Sequence, residues 1–169
     1  MKYFTTFLLL VLFSFQTSFG QDTTAQINTS WNNLKTQLQR RTDIVSDLVN
    51  ILSQSEKVDK EQLSKSKNLA IDLFKYVDTL TFKDSLTISL ANEKNNRLTK
   101  ALARTLATSD KDKELRSNKE LSALFMQLEA CENRIALTKR DYNDICSEYK
   151  RTDLLFGSDK VEKASQIRF

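Results

Sequence analysis

The sequence predicts an all-α protein: an antiparallel bundle of about four long helices, preceded by an N-terminal signal or anchor segment. Three observations carry that expectation. Among 169 residues there are 2 Gly and no Pro, which leaves almost nothing to build the tight turns of β-hairpin folds. Apolar residues recur at alternating short spacings over long stretches, the mark of helices packed along a seam. Charged residues make up 28% of the chain with the signs interspersed, as on solvated helix faces. A chain of this length holds one ordinary domain.

Residues 1–20 differ in kind from the rest. Lys2 precedes an apolar run from Tyr3 to Phe15, and Gln16-Thr17-Ser18-Phe19-Gly20 is a polar stretch with small residues shortly before Gln21. That order is the pattern of a secretory signal. A membrane-spanning helix wants about 20 apolar residues, and Thr5, Thr6, Ser14, Gln16, Thr17 and Ser18 dilute this one. The reading is export with cleavage after Gly20, to the periplasm or the outer face of the cytoplasmic membrane. An uncleaved membrane anchor is the alternative. The expected division is residues 1–20 as signal or anchor, 21–157 as the bundle, and 158–169 as a C-terminal tail. Without the first twenty residues the chain carries 25 basic and 22 acidic side chains, a net charge of +3. No long basic run or basic-aromatic platform stands out, so the sequence gives no support for nucleic-acid binding.

The helices follow in order. Ile27, Trp31, Leu34, Leu38, Arg41, Val45, Leu48 and Leu52 form one seam, with Thr23-Thr24-Ala25-Gln26 as a capping box at its start. Ser53-Gln54-Ser55-Glu56 reads as a second box that breaks this helix and opens the next. That next helix runs to about Val77, with Ala70, Leu73, Phe74 and Val77 inward. A single helix from Val58 to Leu106 would be about 73 Å long, so a turn at Thr79-Leu80-Thr81-Phe82 is required. A third helix, from about Asp84 to Leu106, is carried by Leu86, Leu90, Leu98, Leu102 and Leu106 and is diluted by the polar block Asn92 to Arg97. Ser117-Asn118-Lys119-Glu120 caps the last helix, whose seam is Leu121, Phe125, Leu128, Glu132, Ile135, Lys139, Tyr142, Cys146 and Tyr149. A second stripe of Leu124, Cys131, Thr138 and Ile145 widens its buried face. Gly157 is a cap or turn beyond it.

The chemistry on offer is narrow. With no His in the chain, the commonest general base and the His-ligated metal sites are missing. Cys131 and Cys146 lie in one helix about 22 Å apart, too far to pair, and read as small core residues. No catalytic, cofactor-binding or metal-ligating residue is assigned, and no cofactor is implied. Glu132, Lys139 and Asp43 are the only groups from which carboxylate or lysine chemistry could be built. Arg41 and Glu132 interrupt otherwise apolar seams near the middles of the first and last helices. Packed antiparallel, those helices would bring the two together as a structural ion pair, with Asn133 or Tyr142 supplying supporting polar atoms; the alternative is an Arg41 that snorkels to solvent along its own helix.

The stretch from Trp31-Asn32-Asn33-Leu34 through Arg40-Arg41-Thr42-Asp43-Ile44-Val45 to Val49 resembles the first-helix signature of LemA family proteins. So does Glu132-Asn133-Arg134-Ile135-Ala136 followed by Lys139-Arg140-Asp141-Tyr142-Asn143 and Tyr149. Leu98 to Leu102, Phe156-Gly157 and Ile167-Arg168-Phe169 fall where that family has similar residues. Ser46 stands where the family usually has Pro. A Tyr-Pro pair before Leu115 and a Pro-containing turn after the last helix are missing, and members usually keep a longer N-terminal anchor. The resemblance implies a helical bundle held at or beyond the bacterial inner membrane, with no shared catalytic activity. The expected function is a non-catalytic cell-envelope scaffold or interaction module with a membrane or envelope protein as partner; homo-oligomers are also allowed. The alternative is a carboxylate-based envelope enzyme, or a secreted chaperone-like or ligand-binding bundle.

Overall fold

The computed structural model describes the backbone of residues 2–80, 85–109 and 112–157, and the side chains of 23–80, 85–107 and 112–157. Helix α1 runs Lys2–Leu52, α2 Lys60–Thr79, α3 Ser85–Ser109, α4 Lys113–Ser117 and α5 Lys119–Glu148, with a 3-10 turn at Thr152–Leu154. No strand occurs among the described residues. The side chains of the signal-or-anchor segment, the turn residues Thr81 and Phe82, and the tail of residues 158–169 lie outside the described ones. Among the described residues no helix is long and apolar enough to cross a membrane.

All eight residues of the first seam, from Ile27 to Leu52, are buried. This makes α1 the spine of the bundle: it packs on α2 along one flank and on α5 along the other, and α2 packs in turn on α3. Cross-links fix the directions. Midway along its length, at Gln26, α1 meets the end of α5, where Tyr149 Oη donates to Gln26 Oε1 at 2.8 Å. Further along, Cys131 Sγ faces the Gln37 carbonyl. Lys35 and Gln39 of α1 reach Asp78 at the end of α2. Between α2 and α3, Ser66 pairs with Thr105 and Asp72 with Lys94. Successive long helices are therefore antiparallel, the up-down-up-down order that short connections favour.

The local signals differ from the expected ones in several places. Thr23 to Gln26 do not start a helix, because the backbone is already helical from Lys2. The Ser53 box does not cap α2 either. Asp59 does, its carboxylate accepting from the N–H groups of Glu61 and Gln62, while Ser55 turns away to donate to Asp112 at 2.6 Å. The cap of α5 is Asn118, which accepts from Leu121 N–H, one residue later than the box suggested. Helix α5 ends at Glu148 with Tyr149 as its cap, and Lys150 follows with a φ of 57°, in the left-handed region. There Arg151 N–H bonds the Cys146 carbonyl and Lys150 N–H the Ser147 carbonyl, the paired bonds of a Schellman end.

The α3 register is also corrected. Leu86 is 67% and Leu90 36% exposed, and on α2 Phe74 is exposed too. The inward face of α3 is Ile88, Ala91, Leu98, Leu102 and Thr105, a spacing that places half-buried Asn95 in the same stripe. On α2 it is Leu63, Ser66, Ala70, Leu73 and Val77.

Candidate functional site

Three polar residues stand at seam positions of three helices, and they meet in one layer. Arg41 projects from α1 with its side chain 1% exposed, and its Nε lies 2.7 Å from Glu132 Oε1 on α5. The N–H is turned off the line to that oxygen, so this contact is an ion pair and not an aligned hydrogen bond. Nη1 donates to Asn95 Oδ1 at 2.6 Å and Nη2 to Thr99 Oγ1 at 2.9 Å, both on α3. Thr99 Oγ1 in turn donates to the Asn95 carbonyl, which aims its lone pairs at the guanidinium. One cation thereby ties α1 to α3 and α5, two helices that make little other direct contact.

The electrostatics follow from this geometry. Burial lowers the Arg41 pKa, while the adjacent Glu132 carboxylate and, more weakly, Cys131 oppose the shift. Arginine nonetheless stays protonated in proteins, so the layer holds a permanent buried charge. The Glu132 side chain is 42% exposed, and solvent reaches the anion but not the cation. Beside it, burial first and Glu132 second push the Cys131 thiol up from its usual value. Burial does the same to Cys146. Both thiols are free and buried.

Asn133 and Tyr142 do not support the pair. Asn133 points to solvent, one residue round the helix from Glu132. Tyr142 lies ten residues along α5, about 15 Å away, and is fully buried where its hydroxyl donates to the Leu154 carbonyl at 2.9 Å. Asn95 and Thr99 take the supporting role. Sequence reading missed them because seams are found by their apolar members, and Asn95 sat inside a block that looked like a weakness of α3.

Tyr142 and Asn143 instead hold the C-terminal segment after α5. Asn143 Nδ2 donates to the Phe156 carbonyl (3.1 Å), and Phe156 N–H donates back to Asn143 Oδ1 (2.9 Å). This clip places the Phe156 ring 6.1 Å from Trp31, whose other neighbour is Tyr142 at 5.6 Å in an edge-on arrangement. Gly157 follows with a φ of +66°, where a Cβ would come within 2.9 Å of Lys139 Nζ and 3.1 Å of Asn92 Oδ1. Positive φ and close approach together require glycine there.

The three groups named for carboxylate or lysine chemistry do not converge. Asp43 is exposed and lies roughly opposite Arg41 on α1, two residues being about 200° apart. Lys139 lies beside Gly157, seven residues or about 10 Å along α5 from Glu132. Among the described residues no group of three or more His, Cys, Asp or Glu side chains is placed to hold a metal ion.

No curated protein matches the chain. The LemA family model matches residues 30–165. That span takes in Trp31, the Arg41 layer, helices α2 to α5, and the Tyr142-Asn143 clip with the segment it holds. With four-fifths of its length inside that match, the chain belongs to the LemA family.

Proposed function

We propose that the protein is a non-catalytic helical scaffold or interaction module of the bacterial cell envelope, held at or beyond the membrane by its N-terminal segment. The observation that carries this reading is the use made of the polar residues in the seams. Arg41 is enclosed and engaged by groups from two other helices. Tyr142 and Asn143 are spent on fastening the chain's own C-terminal segment. Side chains of this kind, turned inward onto their own backbone and neighbours, set the register of a bundle. A bundle with a fixed register presents its outer faces to partners in a defined order. The signal-like order of the first segment, and the envelope location that the family resemblance implies, support this placement.

The test is crosslinking in cells followed by mass spectrometry, together with N-terminal sequencing of the native protein. Recurrent crosslinks from the outer faces of α2, α3 or α5 to one envelope component are expected. The mature chain should begin at Gln21 and lie outside the cytoplasm. A chain with Met1 intact in a membrane pellet would make the segment an anchor and keep the envelope reading. A soluble cytoplasmic chain with Met1 intact would overturn it.

A further inference from the structure

The outward-facing groove between α2 and α3 gathers four cations around an apolar floor. It encloses about 320 Å³ and is lined by Lys65, Leu69, Arg97, Lys100, Ala101 and Arg104. Every polar side chain in the lining is a cation. Arg97, Lys100 and Arg104 succeed one another along one side of α3 over about 10 Å, and Lys65 faces them from α2. Arg97 shares its charge with Glu93 one turn earlier, at 3.0 Å. Lys65, Lys100 and Arg104 have no ion-pair partner among the described residues. The nearby carboxylate of Asp72 is taken by Lys94. The lining therefore carries a charge of about +3 once Glu93 is counted against its four cations, and Glu61, one turn before Lys65 on α2, is the other carboxylate alongside. The groove floor is apolar: Leu69 is half-buried, and Ala101 is 3% exposed yet stands apart from the continuous core.

Like charges crowded on one groove repel each other across a low-dielectric wall, and an anion of matching charge relieves the repulsion. A single carboxylate would leave most of the charge uncompensated. A phosphomonoester or diphosphate brings two or more negative charges and several acceptor oxygens, which suit guanidinium forks and lysine ammoniums together. The volume lies at the lower end of the range for small-molecule sites. We propose that this groove binds a multiply charged phosphoryl group, with the apolar substituent of that ligand lying on Leu69 and Ala101. The inference does not depend on the envelope reading, since it rests only on the groove.

The probe is inorganic pyrophosphate, titrated into the full chain in neutral detergent micelles and followed by calorimetry. One-site saturation with a dissociation constant below about 1 mM is expected. The double variant Lys100→Ala with Arg104→Ala should weaken binding by about tenfold or more. Lys113→Ala with Lys119→Ala, an equal loss of charge on exposed residues elsewhere, should leave it within about twofold. Circular dichroism checks that each variant keeps its helices, and Lys65→Ala alone serves if the double variant does not fold. Vesicles of phosphatidylcholine with roughly a quarter phosphatidylglycerol form a second arm that separates a lipid phosphate from a free one. Binding to vesicles that is lost in the groove variant and competed by pyrophosphate assigns the source as lipid. Absence of saturation by pyrophosphate overturns the proposal. So does equal weakening in the control pair, which would mean general attraction to a basic protein.

Discussion

Replacing Glu132 with Gln while keeping Arg41 tests whether the central layer is a true pair. Breaking a fully buried ion pair by removing one partner costs about 3–5 kcal/mol, and an exposed pair is worth about 0–1 kcal/mol. Here the cation is 1% and the anion 42% exposed, so the value must lie between the limits. Glutamine keeps an oxygen at 2.7 Å but removes the charge that Arg41 faces. We expect E132Q to cost about 2 kcal/mol, a fall of about 4–8 °C in Tm for a chain of this size. Arg41→Met loses the same pair together with the bonds to Asn95 and Thr99. Because Asn95 is half-buried and Thr99 exposed, water replaces much of what they lose, and methionine fills the space. R41M should therefore cost about 2–3 kcal/mol. In the R41M background E132Q should cost almost nothing, since no buried cation is left to miss its counterion. Urea unfolding of all four proteins gives a coupling near 2 kcal/mol if this is right. If E132Q costs the same in both backgrounds to within about 0.5 kcal/mol, the residues are neighbours without a partnership.

Asn143→Asp should loosen the C-terminal segment, because aspartate still accepts from Phe156 N–H but cannot donate to its carbonyl. Limited proteolysis should then cut after Leu155 or Phe156 faster than in the parent, while cleavage inside α5 stays unchanged. Tyr142→Phe leaves the Leu154 carbonyl without its hydroxyl donor and should cost about 1–3 kcal/mol in thermal or urea unfolding. Asp112 accepts from Ser55 Oγ, from Glu114 N–H and from Lys57, and these bonds, Ser55 first, hold its pKa below the usual carboxylate value. A depressed folded pKa gives stability that is present above the unfolded value, near pH 4, and is lost as pH falls through the folded one. Asp112→Asn should therefore flatten the acid limb of stability below about pH 4, and an unchanged limb would remove Asp112 from it. Cys131 and Cys146, buried with raised pKa values, should alkylate slowly in the folded chain and rapidly in denaturant. Rapid alkylation of either without denaturant would contradict its burial.

The spine of the fold was legible because its signal is redundant. Eight residues of α1 recur at seam spacing and every one is buried, so a single polar member, Arg41, did not hide the register. The same held for α5, where Glu132 sits between Leu128 and Ile135. Helix α3 shows the opposite case. Its stripe contains Asn95 and Thr105, and its outer face carries Leu86 and Leu90, so apolar counting chose the wrong side over the first turns and recovered it only at Leu98 and Leu102. Capping was misplaced for a different reason. Ser, Asp and Asn cluster before both α2 and α5, and local spacing does not decide which of them turns to its own helix. Ser55 was drawn off by Asp112, a partner 57 residues away, and a contact of that range leaves no trace in a short window of sequence. The clip made by Asn143 was unreadable likewise, since its partner backbone lies beyond the helix end.

What made α3 look weak is also what gives it a role. A helix whose polar residues merely faced solvent would be held only by Ile88, Ala91, Leu98 and Leu102. In this helix the polar residues are sorted by direction. Asn95 turns inward and Thr99, at the solvent edge, leans the same way, both ending on Arg41, while Lys94 crosses to Asp72 and Thr105 meets Ser66 in the core. Arg97, Lys100 and Arg104 turn outward onto the α2 groove. Each inward polar group thus has a partner on another helix, so burying it does not incur the cost of an unmet hydrogen bond. Those partners also specify which way α3 faces, a task that its few apolar residues could not perform alone. The outward cations depend on that specification. Turning α3 by one residue, about 100°, would separate Asn95 from Arg41 and carry the basic row off the groove together. The buried layer and the surface groove are therefore two consequences of one register, and a variant that slips α3 should lose both.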